Sequence, residues 1–228
     1  MPPKKIYLAF DVDGTIYDPQ NILAPAFQEG LESFQKKYDY NFHFPTKDEI
    51  VSVLGKPFTE IFKKFFPQLD KKPAQELISL CTQRLIKKVN QKKGSLYQKA
   101  KVTLETLQQN NYSLFMASNG KIEYTMAILK TFGLIKFFSP PFLAIDNKNI
   151  KNKTDIIRSY KKIISPSDLL IMIGDRSTDK IAAQDNNLPF LACSFGYGSP
   201  AEIGDSQWTA TKFSEIPEII QKIEHDLL

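Results

Sequence analysis

The stretch Ile6-Tyr7-Leu8-Ala9-Phe10-Asp11-Val12-Asp13-Gly14-Thr15 decides the architecture. Five apolar residues in a row, with no polar alternation, predict a strand buried on both faces, as strands of parallel sheets are. Asp11 and Asp13 leave that strand together, and Gly14 permits a sharp turn behind them. Acids delivered by an apolar strand are costly to bury unpaired, so a hard cation is expected to neutralise them. An EF-hand calcium loop beginning at Asp11 is excluded. Its sixth and twelfth positions require Gly and Glu, and Ile16 and Ile22 stand there.

Further apolar runs of strand length fall at 113–117, 142–145, 169–173 and 189–193, separated by stretches of helical period. Strands alternating with helices predict an α/β fold, a doubly wound parallel sheet with right-handed crossovers. Residues 207–210 add an edge strand and 214–227 a closing helix. Between about 20 and 96 the pattern is helical, with no strand-like run. Leu23, Phe27, Leu31, Phe34 and Tyr38 recur at three- and four-residue spacing, and Pro25 suits that helix's first turn. Thr46-Lys47-Asp48-Glu49 is a capping box for a short helix that Gly55 closes. Another short helix, from Thr59 to Phe66, stops at Pro67. Leu77, Cys81, Leu85 and Val89 then stripe a longer one ending near Gly94. The predicted division is an α/β core of residues 1–16 and 97–228, with a small helical cap domain of residues 17–96 inserted after the first strand.

In such sheets ligands bind beyond the carboxyl ends of the strands. Ser118-Asn119-Gly120 follows the second run and leads into a helix at Lys121, offering a hydroxyl and free amides to an anion. Alone, that turn is also an ordinary helix cap. Gly174-Asp175-Arg176-Ser177-Thr178-Asp179 follows the fourth run, with Asp179 one helical turn beyond Asp175. Three strand ends thus offer two acids, an anion turn and two more acids.

In this order the motifs resemble those of the haloacid dehalogenase superfamily of phosphohydrolases. Asp11-Val12-Asp13-Gly14-Thr15 is similar to its first motif, Ser118-Asn119 to its second, Lys153 to its third, and Gly174-Asp175 with Asp179 to its fourth. Ala182-Ala183, Asn187-Leu188-Pro189 and Phe195-Gly196-Tyr197-Gly198 resemble the tail of phosphoglycolate-phosphatase-like members. Many relatives follow the third-motif lysine with Pro-x-Pro. Here Thr154-Asp155-Ile156 follows Lys153, and Lys148 and Lys151 stand close enough to be alternatives.

The resemblance implies a Mg²⁺-dependent phosphatase. In it Asp11 attacks phosphorus and forms an aspartyl-phosphate, while Asp13 protonates the leaving oxygen and then deprotonates the attacking water. The Asp11 carboxylate, the Asp13 backbone carbonyl and Asp175 hold Mg²⁺. Ser118, Asn119 and Lys153 bind the phosphate. Asp179 orients a metal ligand or water, and Thr15 braces the Asp11 loop. By the same resemblance the cap closes over the site, and the turn at Gly55 and Lys56 selects the substrate. Dehalogenating relatives lack an acid at the Asp13 position, so Asp13 ranks phosphomonoester hydrolysis above dehalogenation. The competing expectations are a phosphomutase or nucleotidase on the same scaffold, and a non-catalytic phosphate-binding module.

Composition bounds the partners. With 42% apolar and 24% charged residues the chain is an ordered globule rather than a disordered or low-complexity one. Two cysteines, Cys81 and Cys193, cannot frame a disulfide scaffold or a zinc knuckle. No apolar run approaches the roughly 20 residues that span a bilayer. Asp11 and Asp13 also cut the run after Lys4 and Lys5 too early for a signal peptide. The expectation is a cytoplasmic enzyme acting on a small phosphorylated metabolite, a monomer or weak homodimer with no membrane or nucleic-acid partner. Charge is uneven: residues 60–101 carry eleven lysines or arginines against three acids. That run predicts either solvated helix faces or a basic lid that draws anions toward an acidic core.

Overall fold

In the computed structural model, which describes residues 4–38, 40 and 42–227, the deciding run forms β1 (Ile6–Phe10). A two-residue antiparallel ribbon follows, β2 (Tyr17–Asp18) paired with β3 (Ser95–Leu96). Between its strands lie four helices, α1 (Gln20–Gln35), α2 (Lys47–Ser52), α3 (Phe58–Phe65) and α4 (Lys71–Asn90). The remainder alternates: α5 (Ala100–Gln109), β4 (Ser113–Ser118), α6 (Ile122–Thr131), β5 (Leu143–Ala144), α7 (Lys153–Lys161), β6 (Leu169–Gly174) and α8 (Ser177–Gln184). It ends with β7 (Phe190–Cys193), α9 (Pro200–Ile203), β8 (Trp208–Ala210) and α10 (Ile216–Leu227).

Six strands form one parallel sheet in the order β5-β4-β1-β6-β7-β8, the doubly wound α/β fold expected. From β1 the chain winds outward through β4 to β5, returns to β6 on the other side of β1, and winds outward again. The reversal therefore lies between β1 and β6, where open sheets of this kind take their ligands. Phe10 is in register with Ile173, and the Asp11 N–H donates to the Ile173 carbonyl at 2.9 Å, so the two strands end side by side.

Period-two alternation sends neighbouring side chains to opposite faces. Leu8, Phe10, Ile171 and Ile173 join Leu104, Ile128 and Ile220 from α5, α6 and α10 in one apolar cluster. Ala9, Leu170 and Met172 join Ile156 and Tyr160 of α7 and Ala182 of α8 in the other. Both faces are covered, which is why these strands read as unbroken apolar runs. Cys81 and Cys193 are free and buried. Among the described residues no helix is long and apolar enough to cross a membrane.

Two details of the inserted helices differ from expectation. Pro25 sits beyond the first turn of α1, because Asp18 Oδ1 accepts the Gln20 N–H at 2.9 Å and starts the helix earlier. The segment is also bounded by the β2–β3 ribbon, whose strands are too short to leave a hydrophobic signal. The capping box forms as read, with Thr46 Oγ1 accepting the Glu49 N–H and Glu49 Oε2 the Thr46 N–H. Aromatic rings fill this module, with Phe27 stacked on Phe62 at 5.3 Å between centroids and Phe42 against Phe66 at 5.0 Å.

The module's spine is the contact of α1 with α4. A Cβ built on Gly30 would lie 2.5 Å from Cys81 Sγ and 3.0 Å from its Cα, so only glycine lets the two helices approach this closely. Gly30→Val is therefore expected to destabilise the protein by about 1–3 kcal/mol through overpacking, read as a lower urea midpoint at unchanged slope.

Candidate active site

Four strand ends and helix starts converge at the β1–β6 reversal. Asp11 follows β1, Asp175 follows β6, Asp179 lies in the first turn of α8, and Lys153 opens α7. Asn152 caps α7 by accepting the Asp155 N–H at 3.1 Å, which fixes the helix start carrying the lysine. Lys153 Nζ donates to Asp11 Oδ1 at 2.7 Å and to Asp179 Oδ1, with 1% of its side chain exposed. Lys148 and Lys151 are exposed, so Lys153 is the lysine at the acids.

The six carboxylate oxygens of Asp11, Asp175 and Asp179 are unequally served. Asp175 Oδ1 accepts the Thr15 hydroxyl at 3.2 Å, and its Oδ2 accepts the Tyr197 N–H at 2.7 Å. Asp179 Oδ2 accepts the Arg176 N–H at 2.9 Å. Of these six oxygens only Asp11 Oδ2 is buried without a donor; nearby, Asn119 Oδ1 is also buried and unpartnered. Thr15, in the loop that follows Asp11, thus ties that loop to Asp175. Its hydroxyl has a buried carboxylate within reach across the strand gap. Gly14 belongs to the same packing. At φ +87° it keeps its backbone against Asp175, where a Cβ would meet Oδ2 at 2.4 Å.

Asp11, Asp175 and Asp179 each present an oxygen within 4.8 Å of the others. Three buried carboxylates against one ammonium leave an excess of negative charge, and the all-oxygen donor set suits Mg²⁺ or Ca²⁺. The residues present therefore fit a hard dication. The turn after β1 adds a candidate donor: Gly14 N–H bonds to Tyr17 O and Tyr17 N–H to Val12 O, both at 2.9 Å. Among the described residues no hydrogen bond is drawn to the Asp13 carbonyl.

Electrostatics follow the crowding. Burial pushes Asp11 up to about 6, against the pull of Lys153. Burial and then the neighbouring Asp11 push Asp13 up to about 7. Burial raises Asp175 well above the usual carboxylate range, with Asp11 and Asp179 adding to it. Burial lowers Lys153, but the Asp11 and Asp179 carboxylates outweigh it and hold the ammonium above its usual range.

Asp13 is half-buried and its Oδ1 accepts the Tyr124 hydroxyl at 2.9 Å. Ser118 Oγ accepts the Gly120 N–H at 3.0 Å, and Asn119 Nδ2 donates to the Gly55 carbonyl at 2.7 Å. Thr178 Oγ1 reaches the same carbonyl at 3.3 Å, and Arg176 Nη2 reaches Ser52 O at 3.3 Å. The α2–α3 turn is thereby seated on the sheet's carboxyl edge. What remains is a cavity of about 20 Å³ between Asp11, Asp13, Ser118 and Asn119 on one side and Leu54, Gly55, Lys56 and Phe58 on the other. That holds one water and no phosphoryl group. None of the eleven basic residues between 60 and 101 lines this cavity; Lys56 does. Most of the run is exposed on the helix faces, while Lys88 pairs with Glu29 at 2.5 Å.

Tyr124, the Tyr197 N–H, Arg176 and Thr178 were not singled out by sequence. Tyr124 reads only as one buried position of an amphipathic helix, and a backbone amide leaves no residue signal. Because, among the described residues, Lys153 is the one cation paired with these buried acids, Lys153→Met should cost about 3–5 kcal/mol in chelator. Urea unfolding checks this, and millimolar divalent cation should restore part of the loss.

The family of haloacid dehalogenase-like hydrolases matches residues 8–193. The chain is 26% identical over 187 residues to pyrophosphatase PpaX of Oceanobacillus iheyensis, covering 81% of each chain. It is 22% identical to phosphoglycolate phosphatase of Photobacterium profundum, covering 94% of this chain and 95% of that one. Among solved structures it superposes on a haloacid dehalogenase-like family hydrolase of Streptococcus pneumoniae with a TM-score of 0.76 at 21% identity, covering 97% of this chain and 100% of that one. The likeness to CbbY of Rhodobacter sphaeroides, solved in complex with phosphate, has a TM-score of 0.75 at 17% identity and covers 94% and 96%. These structural likenesses speak to the fold, and the family match extends from β1 through β7, taking in every acid at the reversal. The chain belongs to the haloacid dehalogenase-like hydrolases.

Proposed function

We propose that this hydrolase is a Mg²⁺-dependent phosphatase of a small phosphorylated metabolite, with Asp11 as nucleophile. The observation that carries it is the single unserved oxygen among the six carboxylate oxygens, Asp11 Oδ2, beside a cavity also lined by Asp13 and Ser118. A carboxylate held on one side by Lys153 and free on the other is oriented yet available.

Asp11 attacks phosphorus as the ester P–O bond breaks, and Asp13 gives its proton to the departing oxygen. Water then attacks the aspartyl-phosphate, Asp13 takes the water's proton, and phosphate leaves with Asp11 regenerated. A carboxyl raised to about 7 is matched to both directions of that proton transfer. Lys153, the Ser118 hydroxyl and the amides after it face the phosphoryl oxygens. Asp11, the Asp13 carbonyl and Asp175 hold Mg²⁺, with Thr15 and Asp179 supporting them. When bound, the ion offsets charge on the phosphoryl group. Residues 17–96 act as the cap. A site with room for one water admits substrate only when the Gly55 turn lifts from Asn119 and Thr178, and that places Gly55 and Lys56 against the leaving group.

Relatives named for phosphoglycolate and for pyrophosphate support a small, strongly anionic substrate. With p-nitrophenyl phosphate and Mg²⁺, Asp11→Asn should fall to background and Asp13→Asn should lose about 10²–10⁴-fold in kcat. Mg²⁺ at a hundredfold excess over its Kd should raise the wild-type Tm by roughly 5–10 °C. Asp175→Asn should abolish both this rise and turnover. Equal activity of Asp11→Asn and wild type removes Asp11 as nucleophile. Phosphosugar isomerised without phosphate release would favour a mutase.

A further inference from the structure

Tyr124 is a phenol where a phenylalanine would pack as well. It lies on α6, directly behind the Ser118-Asn119-Gly120 turn, and is 1% exposed. Its ring joins the apolar cluster on one face of the sheet with Ile128 and Leu129 of the same helix. Yet it also lines the small cavity beside Asp13, and its hydroxyl donates to Asp13 Oδ1 at 2.9 Å. A buried phenol hydroxyl requires a partner. Among the described residues Asp13 is the one this hydroxyl has.

A carboxyl group turns easily about its Cβ–Cγ bond, so two chemically equal oxygens compete for any one task. A donor fixed on one of them ends that equality. While Oδ1 accepts the Tyr124 O–H, the proton of the neutral carboxyl resides on Oδ2. We infer that Tyr124 is a positioning residue that pins Asp13 Oδ1 and thereby presents Oδ2 as the atom that transfers the proton. This rests on the phosphatase reading above. In the balanced step the Asp11 oxygen bonds to phosphorus, and the ester P–O pair remains on the leaving oxygen. That oxygen takes the Oδ2 proton, and Asp13 is left as a carboxylate.

The readout is leaving-group dependence, which loosened packing does not alter. Wild type and Tyr124→Phe are compared with Mg²⁺ on p-nitrophenyl phosphate, whose leaving group needs little protonation, and on phenyl phosphate, which is alike in shape and needs more. Tyr124→Phe keeps the ring and the fold, which its Tm verifies. Its kcat/KM is expected to fall about tenfold on phenyl phosphate and less than about twofold on p-nitrophenyl phosphate, part of the 10²–10⁴ a positioned acid supplies. In an Asp13→Asn background the same change should cost less than about twofold on either substrate, because Tyr124 acts through Asp13. Equal losses on both substrates, or a further loss in the Asp13→Asn background, overturn the positioning role and leave the phosphatase intact. A wild type inert toward both esters removes the phosphatase reading, and this inference with it.

Discussion

Three carboxylates buried around one ammonium are the constraint on which the rest of this molecule depends. Like charges at this spacing repel strongly in a medium that screens little. They persist because the fold supplies a donor for nearly every oxygen: Thr15 and the Tyr197 amide on Asp175, the Arg176 amide and Lys153 on Asp179, and Lys153 on Asp11. Those donors come from four separate segments, and only the doubly wound sheet, with its reversal between β1 and β6, brings them to one point. The tight backbone at Gly14 is part of the same requirement.

The inserted helices are tied to that cluster through main-chain atoms. Gly55 offers its carbonyl to Asn119 and Thr178, one residue following β4 and the other in the first turn of α8. Arg176 bonds outward to Glu202 at 2.9 Å and upward to Ser52 O. At the other end of the insert, Tyr17 donates to Lys93 O at 2.6 Å and Tyr197 donates to Asp18. Tyr197 therefore touches the β2–β3 ribbon with its hydroxyl and Asp175 with its amide, joining the two by direct contact.

Much of this was legible in sequence, for a definable reason. Residues 6–10 and 169–173 became strands because burial on both faces removes every polar residue from them, and the acids at their ends stood out against that background. Lys153 was legible only as one of three lysines, since its selection depends on where α7 begins. The β2–β3 ribbon was hidden because two paired residues carry no periodicity. Thr15 was read as bracing the Asp11 loop, but its partner Asp175 is set by the pairing of β1 with β6 and leaves no mark in the sequence. The basic run between 60 and 101 read either as solvated helix faces or as a lid, and most of its lysines are exposed. Charge patterning does not say which face a lysine occupies, and Lys88 is turned inward onto Glu29.

Asp11 and Asp13 show how one turn gives two different environments to one residue type. Both carboxyls are raised by burial, so burial does not separate them. Their partners do. Asp11 faces an ammonium, which favours the carboxylate and keeps a lone pair ready, and it stands in the cluster a dication would occupy. Asp13 lines the same cavity but takes its hydrogen bond from a neutral phenol on α6 and is not among the three clustered acids. A dication therefore lowers the proton affinity of the first acid more than that of the second, since interaction energy falls with distance. One short turn after β1 thus gives two carboxyls two different neighbours, an ammonium for Asp11 and a phenol for Asp13.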